Sequence, residues 1–369
     1  MGSACQQETQ HELLTGKYLL VNMGGYCWEC TGGQKLADIL VKRTMMRRFV
    51  GCLSTAIAIW LAAPVLSAAP ADCRSQPGRP VKVAAIAIGC GGNHPAKLKL
   101  AIAHLEVAGR KGVDIACLPE EFSGFAGEPI PGPTTKVVGE LARKYHMYVI
   151  CPIREQAGGR QYNTAVLLDR QGNVAGRYRK VFVFWGEDVN LGEEGVGVFD
   201  TDFGRIAMLT CFDANFDEVW QEAERKGAEI VFWPSAYGGG MPLNGYAMIH
   251  NYYLVAVGRG NMIDVLGRAV QPSEKPWPQQ FIATLDLDLT LVHFDFNREK
   301  IRRLLKEYKG EVELVPHVGE MEEWYVLRAL KPGVRVRDLC VRYQIETLRE
   351  YRHRSRDQIN ERRKAGKTV

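Results

Sequence analysis

Arg205-Ile206-Ala207-Met208-Leu209-Thr210-Cys211-Phe212-Asp213 reads as a buried strand that runs into a cysteine. Its apolar stretch lacks polar alternation, the pattern of a strand covered on both faces. Val198–Asp202 precedes it across Phe203-Gly204, so the two segments are expected to pair around that turn. Beyond the cysteine, Phe216–Lys226 reads as a helix, with Asn215 and Asp217 as candidate N-caps. A helix start there lowers a thiol's pKa, and its backbone N–H groups are placed to hold an oxyanion.

The alternation of strand and helix extends in both directions. Val81–Gly89 is a continuous apolar run, and Ala96–Arg110 carries Leu98, Ala101, Ile102, Leu105 and Ala108 at helical spacing before Gly112 ends it. Asp114–Pro119 is the next strand and delivers Glu120 at its end. Thr134–Tyr145 reads as a helix and Tyr148–Arg154 as a strand. Tyr162–Asp169 and Val174–Arg179 read as a hairpin about Arg170-Gln171-Gly172-Asn173. Ile230–Trp233, Leu254–Gly258 and Phe281–Leu287 complete the strands, with a helix over Asn244–Leu254. No linker or internal repeat divides this body, which implies one α/β domain over residues 80–297. Residues 298–369 form an extension, basic and largely helical from 334. Leu339, Tyr343, Thr347 and Tyr351 recur there at i+4 steps, as in one docked helix that braces a dimer.

A hydrophobic content of 46% against 24% charged residues is enough for a large core and excludes a disordered chain. The net charge of +5 is local, because residues 334–369 hold eleven Lys and Arg against five Asp and Glu. The body is nearly neutral and has no footprint for nucleic acid. Cys27 and Cys30 form an isolated CxxC, and the eight histidines show no ligand spacing, so no metal site is expected. Gly89-Cys90-Gly91-Gly92 and Gly238-Gly239-Gly240 lack a phosphate-binding fingerprint.

Arg47-Arg48, the apolar run Phe49–Ala63 and the small residues Ala69-Pro70-Ala71 follow the order of a secretory signal peptide, over residues 45–71. Export to a periplasm or secretion is the expectation. An uncleaved signal anchor is the alternative, and the sole route to a membrane. Residues 1–44 are then an upstream extension of doubtful origin, with Met45 or Met46 as the start.

Lys180 is followed by Val181-Phe182-Val183-Phe184-Trp185, and a lysine in such a run is costly unless it is paired or functional. The plainer reading is a lysine that snorkels at a strand end. Glu120 and Glu121 alternate, so only one is expected to face a site, the other lying at the surface. A carboxylate, an ammonium and a thiol at three strand ends suit attack on a bound carbonyl.

Pro119-Glu120, Tyr178-Arg179-Lys180 and Cys211-Phe212-Asp213, in that order, resemble the nitrilase (carbon–nitrogen hydrolase) superfamily, in an amidase- or carbamoylase-like branch. Phe199–Arg205 and Gly227–Ala236 add to the resemblance, which spans residues 80–297. It implies a four-layer α-β-β-α sandwich, here with a C-terminal helical extension, assembled as a homodimer or higher homo-oligomer. It also implies a Glu–Lys–Cys triad without a cofactor. Glu120 is then the base and Cys211 the nucleophile. Lys180 and the backbone N–H of Phe212 hold the oxyanion, and Glu187 is the best match for a second glutamate, ahead of Glu193 and Glu194. Nitrile-cleaving members have Trp-Glu where this chain has Phe212-Asp213, which favours an amide or carbamoyl substrate. Asn215 stands where many branches place an arginine for a substrate carboxylate. Phe184, Trp185, Trp233 and Tyr237 are candidates for an aromatic pocket wall. The expected protein is an exported thiol-dependent hydrolase of a small linear amide or carbamoyl compound. Acyl transfer to an amine and a non-catalytic binding protein are the alternatives.

Overall fold

The computed structural model describes residues 76–258, 261–270, 279–315 and 323–367. The expected signal peptide, the extension before it and the Cys27–Cys30 pair lie outside the described residues. A six-stranded sheet comprises β1 (Pro80–Ile86), β2 (Ile115–Cys117), β3 (Tyr148–Ala157), β4 (Arg160–Leu168), β5 (Val174–Arg179) and β11 (Gln280–Asp286), in the order β11-β1-β2-β3-β4-β5. The run β1-β2-β3 is parallel, and β11, β4 and β5 join antiparallel. A five-stranded sheet comprises β6 (Val198–Asp200), β7 (Arg205–Met208), β8 (Ile230–Trp233), β9 (Tyr253–Ala256) and β10 (Asn261–Ile263), in the order β10-β9-β8-β7-β6. Its centre β7-β8-β9 is parallel.

The two-residue period of a strand divides the first sheet's side chains between two cores. Val81, Val83 and Ala85 of β1, with Ile115, Cys117, Ile150, Ala165 and Leu167, pack in the core shared with the second sheet. Ala84, Ile86, Ala116, Val149, Cys151, Ile153, Val166 and Leu168 take the opposite face. There they meet α1 (His94–Arg110), which buries Ala101, Leu105 and Ala108, and α2 (Pro133–Tyr145), which buries Val138, Leu141 and Ala142. Asn93 caps α1 by accepting from the Ala96 N–H at 3.1 Å. A Cβ at Gly109 would lie 2.1 Å from the Tyr145 ring, so the approach of α1 to α2 requires glycine at that position. Over the second sheet, α3 (Asp217–Arg225) buries Val219, Trp220 and Ala223, and α4 (Met241–His250) buries Leu243 and Ala247. The layers are α-β-β-α, the expected fold class.

The extension is largely helical from 334 as expected, but a small sheet that the sequence reading did not anticipate stands ahead of those helices. A three-stranded sheet in the order β12-β14-β13 is built from β12 (Thr290–His293), β13 (Val312–Leu314) and β14 (Trp324–Ala329). It packs with α5 (Arg298–Glu307) and α6 (Val336–Tyr343) around Val292, Ile301, Leu304, Leu327 and Leu339. The stripe through Leu339, Tyr343, Thr347 and Tyr351 does not form one helix. Gln344 turns left-handed at φ 54° and ends α6. Thr347 then starts α7 (Leu348–Lys364) with a capping box to Glu350. The cap competes with helix continuation and wins, because it satisfies the backbone N–H of both Thr347 and Glu350. Arg349 anchors α7 by donating to the carbonyls of Ala228, His250 and Asn251 at 3.3, 2.9 and 3.1 Å. His250 is the last residue of α4, so a cation meets that helix's carbonyl end. Among the described residues no helix is long and apolar enough to cross a membrane.

Candidate active site

Three strand ends converge. Glu120 follows β2, Lys180 follows β5 and Cys211 follows β7, and all three are buried. Lys180 Nζ donates to Glu120 Oε1 at 3.0 Å and also to Glu187 Oε1. Asn163 Nδ2, from β4, donates to Glu120 Oε1 at 2.8 Å and to Glu187 Oε2 at 3.2 Å. The Ala236 N–H, beyond β8, donates to Glu120 Oε2 at 2.9 Å. The Cys211 thiol lies within the electrostatic reach of Glu120, Lys180 and Ser235. Glu120 is thus the hub that bonds the ammonium and acts on the charge of the thiol.

The electrostatics follow from burial and these partners. Burial, then the Glu120 carboxylate, push the Cys211 thiol up to about 12, against the pull of Lys180. This reverses the lowering expected from a helix start. Cys211–Asn215 forms a 3-10 turn, and α3 begins only at Asp217, so no helix points its first N–H groups at the sulfur. Burial works to lower the Lys180 ammonium, but Glu120, the Cys211 sulfur and Glu187 outweigh it and hold the amine above the ordinary lysine value. At neutral pH the resting site therefore holds a thiol and an ammonium.

The nucleophile's peptide is clamped. Cys211 has φ 45°, a left-handed conformation rare outside glycine. Its N–H donates to Pro234 O at 3.0 Å and its carbonyl accepts from Trp233 Nε1 at 3.0 Å. Among the described residues the Phe212 N–H meets no acceptor in the fold. Asp213 joins this turn to the lysine's strand. Its Oδ2 accepts from the Thr210 N–H at 2.7 Å and from the Tyr178 hydroxyl at 2.8 Å, and its Oδ1 accepts from the Phe182 N–H at 3.0 Å. Burial pushes Asp213 up to about 6 despite these donors.

The remaining expected residues part company. Glu121 is not at the surface. It is as buried as Glu120 and is held by Arg154 at 2.7 Å, because neither glutamate lies in a regular strand and the turn directs both inward. Val181–Trp185 is a loop rather than a buried run; Trp185 is 89% exposed and, with Phe184, Arg160 and Asn190, lines a surface cavity. Phe184 stands edge-on to Phe212 at 5.4 Å, and Phe212 to Phe216 at 5.5 Å, which leaves an aromatic cluster beside the thiol. Trp233 is fully buried beneath the Cys211 carbonyl instead of lining the pocket. Tyr237 is half-exposed, edge-on to Trp233 at 5.6 Å. Asn215 is exposed and closes its own turn by donating to Phe212 O at 3.0 Å. Asn163, Ser235 and Arg154 were missed in the sequence. Their one signal was a polar side chain in or beside an otherwise buried strand, which costs energy unless it is satisfied.

Residues 82–254 match a family model described as carbon–nitrogen hydrolase. The chain is 36% identical over 156 residues to a beta-ureidopropionase of Arabidopsis thaliana, covering 37% of this chain and 38% of that protein. It is 27% identical over 183 residues to an N-carbamoylputrescine amidase of Solanum lycopersicum, covering 44% and 61% respectively. These alignments thus span less than two thirds of either relative. Among solved structures, Saccharomyces cerevisiae Nit3, a member of branch 10 of the nitrilase superfamily, superposes with a TM-score of 0.52 at 21% identity. That superposition covers 60% of this chain and 95% of the yeast chain, and it speaks for the fold.

Proposed function

Because this chain is a member of the nitrilase, or carbon–nitrogen hydrolase, superfamily, with residues 82–254 carrying the match, we propose that it hydrolyses a small linear amide or carbamoyl compound through a thioester on Cys211. The observation that carries this reading is that the Glu120 carboxylate bonds the Lys180 ammonium and stands close enough to the Cys211 sulfur to act on its charge. Glu120 takes the thiol proton as the sulfur attacks the carbonyl carbon, so thiolate forms only when a substrate is present. The charge that develops on the carbonyl oxygen is met by Lys180 Nζ and the unpaired Phe212 N–H. The tetrahedral intermediate collapses, the C–N bond breaks, and the proton held by Glu120 passes to the departing nitrogen. Glu120 then deprotonates a water, which cleaves the thioester, releases the acid and restores the thiol. Glu187 holds the lysine during both half-reactions.

The uncharged, exposed Asn215 and the Phe184–Phe212–Phe216 cluster favour an acyl group without a carboxylate of its own. The apolar run behind Arg47-Arg48 supports action outside the cytoplasm, and the superfamily's habit supports a homodimer. The test is intact-mass analysis after incubation with a panel of amides and carbamoyl compounds. An acyl adduct present with Cys211 and missing after Cys211→Ala supports the reading. Ammonia or amine release that persists in Cys211→Ala sinks it. Added hydroxylamine separates transfer to an amine from transfer to water.

A further inference from the structure

Arg154 is an arginine whose side chain is 9% exposed, in the centre of the first sheet, and the steps above give it no task. It lies directly opposite Asn163 in the β3–β4 ladder, so the two side chains leave the same face. Asn163 bonds the carboxylates of Glu120 and Glu187. Arg154 takes the neighbouring groups. Its Nε and Nη2 donate to Glu121 Oε1 and Oε2 at 2.7 and 3.2 Å, and Nη2 also donates to the carbonyl of Glu187 at 3.3 Å. Its guanidinium sits over the Phe125 ring at 5.1 Å.

We propose that Arg154 is a positioning residue that fixes the Glu120 turn and the Glu187 loop at one separation, with Lys180 between them. The inference rests on the reading of Glu120 as the base. Glu121 stands at φ 42°, a conformation that persists in a non-glycine residue only where its surroundings impose it. The Glu121 carbonyl is held by the N–H groups of Gly91 and Gly124, each at 3.0 Å, and its carboxylate is held by Arg154. Glu120 precedes this residue, so its direction is set by the same clamp. Glu187 sits in a loop without regular structure, and the Arg154 bond ties that loop's backbone to β3. A planar fork reaches a carboxylate and a carbonyl together, which a single ammonium does not. The charges that face one another here are three carboxylates (Glu120, Glu121, Glu187) and two cations (Lys180, Arg154), with the Cys90 and Cys211 thiols and Lys97 at the edge.

The experiment compares Arg154→Lys and Arg154→Met with the full-length wild-type enzyme. The readouts are kcat and KM on an amide, the pH profile of kcat/KM, and iodoacetamide labelling of Cys211 followed by mass. Loss of the fork is expected to lower kcat about 100-fold in Arg154→Met, the scale of a misplacement near 1 Å, with KM little changed. Its acid limb is expected to move to higher pH, since one cation beside the carboxylates is gone. Arg154→Lys keeps the charge and guards against a merely unfolded variant. It is expected to retain the fold and the acid limb while kcat still falls about tenfold, a small part of that scale. Either variant with kcat within threefold of wild type, or a loss confined to KM, overturns the inference. If wild-type Cys211 is neither acylated nor labelled, the functional reading fails on its own.

Discussion

Glu120 and Lys180 stand sixty residues apart in the chain and 3.0 Å apart in space, with both side chains withdrawn from solvent. Two buried charges in contact are costly to separate. The lysine also bonds Glu187, so its removal strands two carboxylates at once.

Lys180→Met is therefore expected to destabilise the fold by about 3–5 kcal/mol, the range for breaking one side of a buried pair. The stranded carboxylates regain stability by taking up protons. The variant's Tm should rise as pH falls from 8 to 5, relative to wild type. Calorimetry at the two pH values decides it, and a gap that does not change with pH refutes the explanation.

Cys211 should behave as a buried thiol. With its pKa pushed up to about 12 by burial and Glu120, the thiolate fraction is small at neutral pH and grows about tenfold per pH unit. Iodoacetamide labelling of Cys211 should rise steadily from pH 7 to pH 10. A plateau near pH 8 would mean a thiolate already formed, and would falsify the picture of proton transfer on attack. Cys211→Ala should lose turnover by roughly 10⁴-fold or more while its Tm stays near that of wild type.

Glu120→Gln and Glu121→Gln should separate chemistry from structure. The first removes the proton acceptor and is expected to slow acylation about 10²- to 10⁴-fold. The second keeps an oxygen for Arg154, so its effect should appear mainly in Tm, with acylation slowed less than tenfold. Stopped-flow acylation with a chromogenic amide reads both, and the opposite order would move the base to Glu121.

Asp213→Asn should loosen the site from outside it. The amide that replaces one oxygen faces a backbone N–H or the Tyr178 hydroxyl as donor against donor, at a cost of about 2–3 kcal/mol. Burial raises the wild-type carboxyl from 3.8 to about 6. The folded state therefore binds its proton first. This contribution is complete below pH 3.8 and is lost as pH rises through about 6. Urea titrations should show the gap between wild type and Asp213→Asn widening from pH 8 to pH 5.

The body of the fold was legible because its strands are short apolar runs between helices with clear caps, as in Val81–Gly89 and Ile230–Trp233. Glu120, Lys180, Glu187 and Cys211 were legible as residue types at strand ends or in adjoining loops. Asn163 and Arg154 were not, because a polar residue in a strand reveals its partners only when the ladder sets β3 beside β4. Trp185 misled because Val181–Trp185 has strand composition, yet its rings pack on Phe212 and Phe216 from a loop. The strands β12, β13 and β14 were hidden by their length and by the basic residues around them.

That small sheet is a party wall. Leu291 and Val326, opposite one another in the ladder, pack in the core of the main sandwich, while Val292 and Leu327 pack with α5 and α6. A slip of one position in β12 or β14 would exchange the two sets and turn every side chain of that strand to the wrong room. An inserted or deleted codon in either strand should therefore be far more damaging than a conservative swap of any one of its residues. Insertions in this region are accordingly expected to be tolerated in the turns and not in β12 or β14.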